Sequence, residues 1–186
     1  MSSMRKAIEV VTELAARGVI KSYAVAGAVG ALNYIEPMLT QDLDILISVG
    51  DFEQRQSGLI LLTPIEQALA DMGFTERSDV GIVIDGWPVQ FLPVASALDE
   101  EALAQAIEAE IYESPPLTAR VVRAEHLVAT AIKVGRLKDL ARVEAFLDQD
   151  AVNLSELKSV LDRFDLMPAW KAFCFKSGRT DPFAVG

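Results

Sequence analysis

Two acidic residues, Asp42 and Asp44, stand two positions apart in an otherwise apolar segment. Side chains at positions i and i+2 of a strand project from the same face, so an extended segment would bring both carboxylates together. Mg²⁺ prefers oxygen ligands and commonly binds one or two carboxylates together with phosphate oxygens. The pair therefore predicts a site for Mg²⁺ or Mn²⁺. The spacing alone also allows an exposed strand whose acids face solvent or an arginine.

A turn of small residues precedes this pair. Tyr23 to Ala26 is typical of a short strand, and Gly27 and Ala28 lead into a segment that favours a helix. Backbone N–H groups at the start of a helix approach an anion closely when the side chains there are small. We expect this turn to bind the phosphates of a nucleotide. Ordinary packing of a strand against a helix around glycine explains the same pattern.

Basic residues are concentrated between positions 120 and 142 of an acidic chain. The set consists of Arg120, Arg123, Lys133, Arg136, Lys138 and Arg142. One interpretation is a phosphate-binding patch opposite the acidic strand. The other is local ion pairing, because Asp139 lies three residues from both Arg136 and Arg142 on a predicted helix. The sequence leaves both interpretations open.

Residues 23–47 resemble the first two motifs of the polymerase-beta-type nucleotidyltransferase superfamily. The form Thr40-x-Asp42-x-Asp44 is most similar to the bacterial AbiEii-like branch, which contains abortive-infection toxins and related uncharacterised proteins. Residues 125–140 are similar to the helical motif of that branch, in which a lysine precedes an Arg-x-Lys-Asp-like stretch.

The resemblance covers about residues 5–148 and implies both a fold and a reaction. The fold would be α/β (α+β), with a small mixed sheet flanked by helices and then a C-terminal helical lobe. The reaction would move an NMP group from an NTP to an RNA, such as tRNA, or to a protein acceptor, with Mg²⁺ or Mn²⁺ as cofactor. An antitoxin is a further partner that the toxin-like branch implies.

The resemblance also assigns roles to individual residues. It gives metal binding and catalysis to Asp42 and Asp44, positive charge at the reacting phosphates to Lys133, and nucleotide binding to Gly27, Ala28, Arg136 and Lys138.

Two positions depart from the superfamily pattern. Ala28 follows Gly27 where many members have glycine or serine, so a hydroxyl that would face phosphate is missing. Gln90 stands where catalytic members place a third acid, and its amide can offer an oxygen to a metal but cannot accept a proton. Asp79 and Asp85 are possible substitutes outside the expected position. The alternative function is therefore a catalytically degenerate module that binds a nucleotide or a partner on the same fold.

Hydrophobic spacing predicts the elements that position these residues. We predict helices at 4–17, 28–34, 63–73 and 97–110, strands at 23–27, 40–48 and 119–123, and a hairpin over 81–93 that turns at Asp85 and Gly86. From residue 124 onward only helices are predicted, at about 124–134, 137–148, 155–164 and 168–175. The predicted organisation is a nucleotidyltransferase-like core, 1–123, with a helical lobe, 124–186, packed on it as one compact unit.

Composition limits the remaining possibilities. The formal net charge of −10 over 186 residues opposes extensive, sequence-independent binding to nucleic acid, although it permits a small basic patch. No apolar run reaches the roughly 18 residues of a membrane span, and the N-terminal residues do not have the pattern of a signal peptide. Cys174, the single cysteine, cannot form an internal disulfide. These features predict a soluble, cytoplasmic protein that does not associate with membranes.

Overall fold

A computed structural model of the chain describes residues 4–48, 53–54, 59–60 and 62–184. The helices in these residues are α1 Met4–Ala16, α2 Gly27–Ala31, α3 Thr63–Asp71, α4 Ala97–Ala104, α5 Ala124–Val134, α6 Leu137–Asp148, α7 Leu154–Arg163 and α8 Met167–Ser177. The strands are β1 Tyr23–Val25, β2 Leu43–Ile47, β3 Glu53–Gln54, β4 Leu59–Ile60, β5 Ile82–Ile84, β6 Trp87–Pro93, β7 Ile107–Glu113 and β8 Pro116–Val121. Within the described ranges, no helix has both the length and the apolar character needed to cross a membrane.

Six of the strands form one mixed sheet in the order β5-β6-β2-β1-β8-β7. Strand β2 runs antiparallel to β1 and parallel to β6, and β8 runs parallel to β1. The short strands β3 and β4 pair with each other in a separate ribbon. A mixed sheet flanked by helices, and hence the α+β class, is confirmed. Strand β2, which contains Asp44 and directly follows Asp42, is hydrogen bonded along both edges.

The alternation of side chains along β2 distinguishes the two faces of the sheet. Leu43, Ile45 and Ile47 are fully buried in an apolar cluster that includes residues of α1 and α3. Leu46 joins the second apolar cluster, to which α4 and all four C-terminal helices contribute. Because Asp44 is two residues before Leu46, its side chain projects toward the face that those helices cover.

The predicted C-terminal helical lobe is confirmed by α5 to α8. Helix α5 connects these helices to the sheet, since it contacts α2 and α4 as well as α6, α7 and α8. Gly135 ends α5 in a left-handed conformation with φ of 71°, a backbone geometry that favours glycine. Helix α6 begins after the single residue Arg136, so the turn brings the basic segment back toward the sheet. The division of the chain at residue 123 stays a prediction.

The predicted helix over residues 97–110 is wrong in its second half. Helix α4 ends at Ala104, and residues from Ile107 onward form β7, which pairs antiparallel with β8. Ile107, Ala109 and Ile111 alternate with glutamates, which is the two-residue period of a strand. Alanine and glutamate have high helix propensity, so the composition of this segment predicted a helix in spite of the alternation. The pairing with β8 overrides that propensity.

The predicted hairpin is confirmed. Ile84 pairs with Trp87 across a two-residue turn, in which Asp85 and Gly86 have φ angles of 51° and 78°. Two consecutive left-handed residues match the twist of the adjoining strands and favour this kind of hairpin. The hairpin supplies β6, the strand that lies beside β2.

Trp170 provides a test of the packing among the C-terminal helices. Its side chain is 0% exposed, and its ring centroid lies 5.7 Å from that of Phe173 and 5.2 Å from that of Phe183. Its indole N–H also donates to Asp181 at 2.9 Å. We expect Trp170→Ala to lower the free energy of unfolding by about 3–5 kcal/mol, measured by urea denaturation.

Phe175 is the matched control for this substitution, because it lies on the same helix and is 88% exposed. Phe175→Ala should change the free energy of unfolding by no more than about 0.5 kcal/mol. Equal losses from the two substitutions would contradict the packing of Trp170.

Candidate functional site

Asp42 and Asp44 are both half-buried at the start of β2. The Thr40 hydroxyl lies 3.1 Å from the Asp42 carbonyl oxygen and 3.4 Å from the Asp42 carboxylate, so it holds the chain just before the strand. The Asp44 carboxylate accepts no hydrogen bond from the described residues. A half-buried carboxylate without such a bond has lost hydration without replacement, which leaves it available to an external cation.

Gly27 lies directly against the Asp44 side chain. A Cβ atom at this position would be 2.0 Å from Asp44 Oδ2, and the φ of Gly27 is 58°. The adjacent Ala26 N–H donates to the Asp44 carbonyl oxygen at 2.9 Å. Absence of a side chain at Gly27 is therefore required for the observed position of the carboxylate. The small-residue turn and the acidic pair, which the sequence treats as separate motifs, are in contact.

Two adjoining cavities surround Asp44, and together they are called the cleft below. The inner cavity has a volume of about 380 Å³ and extends from Gly27 and Gln90 to apolar side chains of α4 and α5. The outer cavity has a volume of about 420 Å³ and lies between residues 38–42 and α6. Asp44 and three residues of the basic segment, Arg136, Asp139 and Arg142, line both cavities. Volumes in this range are typical of small-molecule sites.

The structure brings most of the predicted site residues to this cleft. Gly27 lines the inner cavity, while Ala28, Asp42 and Lys138 line the outer cavity. Arg136 lines both cavities. The basic start of α6 therefore lies across the cleft from the acidic start of β2.

Asp139 holds two of the cleft cations. It is 3% exposed, and its carboxylate lies 2.6 Å from Arg136 Nε and 3.6 Å from Arg142 Nη1. The local ion pairs considered from the sequence are therefore present, and the paired arginines nevertheless line the cleft. A buried carboxylate between two guanidinium groups restricts their conformations while leaving a net positive charge for an anionic ligand.

Arg142 belongs to the basic set noted from the sequence, but the resemblance assigns it no site role, and the structure places it in the cleft. Its side chain is largely buried and lines both cavities beside Asp44. The sequence signal was its spacing of three residues from Asp139, which places the two on one helix face. That spacing indicates a pair but cannot tell which way the pair faces.

Lys133 has a different environment from the other cations. Its ammonium group donates to the Ser96 hydroxyl at 2.8 Å, and it is not among the residues that line either cavity. Ser96 caps the start of α4, where its hydroxyl also donates to Asp99 at 2.8 Å. The cation therefore contacts the α4 cap in this conformation, and the catalytic role of Lys133 stays a prediction.

Gln90 lies beside Asp44 on the neighbouring strand. The two residues are direct partners in the parallel pairing of β2 with β6, and both line the inner cavity. Asp79 and Asp85 are exposed and line neither cavity. Across the described ranges, no three His, Cys, Asp or Glu side chains form a group that could hold a metal ion. Asp42 and Asp44 are the acids of the cleft at the start of β2, while Asp99 of α4 also lines the inner cavity and Asp139 is paired with the arginines.

The charges of the cleft act on Asp44 in opposite directions. Burial, followed by the neighbouring charge of Asp42, raises the pKa of the Asp44 carboxyl above its ordinary value. Arg142, Lys138 and Arg136 lower the same pKa. The raised pKa shows that the cleft cations do not fully offset the cost of this carboxylate's negative charge.

The residues of the cleft fit a divalent cation completed by a ligand's phosphate oxygens. Asp42 and Asp44 supply two carboxylates, the Gln90 amide can supply a neutral oxygen, and the α6 cations can hold the remaining phosphate charge. Such an ion would also relieve the repulsion within the acidic pair.

Gly27→Ala tests the contact between the turn and Asp44. We expect it to displace the Asp44 carboxylate, because the new methyl group would occupy the position of Oδ2. The ¹³C resonance of the Asp44 carboxyl group, measured by NMR, should shift. Gly178→Ala is the matched control, since Gly178 has a φ of 68° and nothing within 4 Å of an added Cβ.

Gly178→Ala should lower the free energy of unfolding by about 1–2 kcal/mol through backbone strain, and Gly27→Ala should lower it by more, because its methyl group also overlaps Asp44. Only Gly27→Ala should change the Asp44 resonance. An unchanged resonance in that variant would contradict the contact.

Asp44→Asn should show the energetic effect of the raised pKa. The folded protein holds the Asp44 proton more tightly than the unfolded chain, so the associated stability is present at low pH and is lost as pH rises through the folded-state pKa. The amide cannot ionise. In EDTA, we therefore expect Asp44→Asn to be more stable than wild type at pH 7, with a difference that shrinks toward about pH 3.

Urea denaturation at a series of pH values measures this difference. A variant that is less stable than wild type at pH 7 would show that the folded protein favours the ionised carboxylate.

Comparison with known proteins gives no family for this chain. No protein-family model matches it, and no curated protein is significantly similar to it in sequence. The resemblance carried by residues 23–47 and 125–140 therefore stays a prediction.

Proposed function

We propose that the chain is a metal-dependent nucleotidyltransferase that moves an NMP group from an NTP to an RNA or protein acceptor. The observation that carries this proposal is the arrangement of the cleft, in which the Asp42–Asp44 pair lies across from the cations of α6. A metal–triphosphate complex has the matching charges, with a cation for the acidic pair and phosphate oxygens for the basic residues.

In this proposal, different residues of the cleft bind the metal ion, the triphosphate and the base. Asp42 and Asp44 would hold Mg²⁺ or Mn²⁺, which when bound would neutralise charge on the transferring phosphoryl group. Arg136, Lys138 and Arg142 would bind the triphosphate, with Asp139 orienting the two arginines. The apolar part of the inner cavity, toward Leu127, offers a surface for the base.

The transfer joins the acceptor hydroxyl oxygen to the α-phosphorus and breaks the bond from that phosphorus to the bridging oxygen, so pyrophosphate leaves. The hydroxyl proton must also be removed. The Gln90 amide cannot accept it, so in this proposal the proton passes to water. A slow transferase is the expected consequence.

Gln90 also favours a second candidate function. The cleft contains groups that would bind a metal–nucleotide complex, but the position beside Asp44 on β6 holds the Gln90 amide, which cannot activate the acceptor. The alternative is therefore a nucleotide- or partner-binding module without turnover. A toxin-like role with an antitoxin partner belongs to the transferase proposal and rests on the resemblance alone.

Incubation with α-labelled NTPs, Mg²⁺ or Mn²⁺, and cellular RNA or protein tests the transferase. We expect wild type to label an acceptor and Asp42→Asn and Asp44→Asn to lose that labelling. Gln90→Asp should increase the rate by about 10²–10⁴-fold, because it restores a proton acceptor beside Asp44. Asp79→Asn and Asp85→Asn are matched controls that should retain the wild-type rate.

The alternative predicts a different pattern. Calorimetry would detect binding of the metal–NTP complex to wild type, while no acceptor would be labelled. Equal labelling by wild type and Asp44→Asn would reject the transferase proposal.

A further inference from the structure

The cleft is bordered by apolar side chains that face solvent. Leu39 is 94% exposed, Leu137 is 89% exposed and Val134 is 49% exposed. Leu39 lines the outer cavity, Val134 lines the inner cavity, and Leu137 lies between the cleft residues Arg136 and Lys138. These three side chains are called the rim below. Leu39 and Leu137 are the two most exposed large apolar side chains in the described part of the chain.

A single exposed leucine needs no explanation, but two at the mouth of one cleft indicate a surface that another molecule covers. Leu137 lies between Arg136 and Lys138, and Leu39 lies on the segment that leads to Asp42. We expect a molecule that enters the outer cavity to contact Leu39, and one that covers the start of α6 to contact Leu137.

The charges outside the cleft argue against RNA as that molecule. An RNA acceptor is held mainly by cations that contact its phosphates. Among the residues that the structure describes, most cations outside the cleft are instead paired with acids, as in Arg5–Glu9, Arg17–Glu13, Arg77–Glu66, Arg123–Glu125, Lys158–Asp162, Arg163–Glu101 and Arg179–Asp148. Arg120 donates to the carbonyl oxygens of Leu103 and Ala106.

The remaining positive charge is poorly placed for a nucleic acid. Lys21, just before β1, and Lys171 and Lys176, on α8, are exposed and do not line the cleft, while the ammonium group of the exposed Lys133 donates to Ser96. The cleft cations face the proposed triphosphate, and two of them are bound by Asp139. The chain as a whole has a net charge of −10. A polyanionic acceptor would therefore approach a surface of net negative charge, on which most of the described cations outside the cleft are already paired.

We infer that the acceptor is a polypeptide that presents a Ser, Thr or Tyr hydroxyl beside an apolar side chain. This inference rests on the proposed nucleotidyl transfer and names its acceptor class. The apolar side chain would pack on Leu39 and Leu137, while a neutral or cationic segment would suit the acidic surroundings. The hydroxyl oxygen attacks the α-phosphorus, pyrophosphate leaves with the electron pair of the broken bond, and the hydroxyl proton passes to water.

The test compares RNA and protein fractions purified from one cell extract, each incubated with a mixture of the four α-labelled NTPs and Mn²⁺. We expect the label to appear in the protein fraction, to be released by protease and not by ribonuclease, and to map to hydroxyl side chains by mass spectrometry. Label that appears in the RNA fraction would overturn this inference and leave nucleotidyl transfer standing. Label in neither fraction would overturn both.

Rim variants distinguish docking from chemistry. The double substitution Leu39→Ser and Leu137→Ser should lower protein labelling by about tenfold or more, because the apolar packing of leucine-sized side chains is lost. Serine adds no charge beside Arg136 and Lys138, so binding of the Mn²⁺–NTP complex, measured by calorimetry, should stay within about twofold of wild type. Phe175→Ser is the matched control, because Phe175 is similarly exposed on α8, away from the cleft.

Equal protein labelling by wild type and the rim variant would overturn the inference. Labelling of this chain itself, in place of other proteins, would identify a second copy as the acceptor and would also overturn the docking of a separate partner. A loss of labelling in Phe175→Ser equal to that in the rim variant would assign the effect to the loss of any exposed apolar side chain and reject the rim.

Discussion

The mutual repulsion of Asp42 and Asp44 constrains the arrangement of every element around the cleft. Strand alternation places the Asp44 carboxylate on the face that α4 to α8 cover, where burial and the nearby charge of Asp42 raise the cost of its ionisation. The side chain of Asp44 fits only because Gly27 has no Cβ. Positive charge must come from the facing helix or from a bound ion. The acidic pair, the glycine turn and the basic start of α6 thus form one electrostatic unit.

Asp139 fixes the positions of the two arginines in this unit. Long arginine side chains near a carboxylate pair could fold directly onto it and close the cleft. Binding of Arg136 and Arg142 to the buried Asp139 holds both guanidinium groups to their own helix. The acidic pair and the cations therefore stay separated across an open volume, as an external ligand with both kinds of charge requires.

The sequence predicted those parts of the fold that depend on local patterns. The alternation through β2, the Asp85–Gly86 turn and the apolar periodicity after residue 124 each have a strong local cause. Strand β7 was missed because its alanines and glutamates favour a helix until pairing with β8 is available. The position of the Arg142 side chain in the cleft and the contact of Lys133 with Ser96 could not be predicted either. Both depend on where one helix docks against another, and spacing within a single helix does not contain that information.

The cleft joins residues that are far apart in the chain, and this has a consequence for biosynthesis. Strand β2 leaves the ribosome well before α6, and domains generally begin to fold from the N-terminal side as synthesis proceeds. A nascent chain that ends before Arg136 carries the acidic pair, the glycine turn and Gln90, but it has none of the α6 cations. The complete charge pattern arises only when translation has passed Arg142, so a truncated product of this gene would lack the assembled cleft.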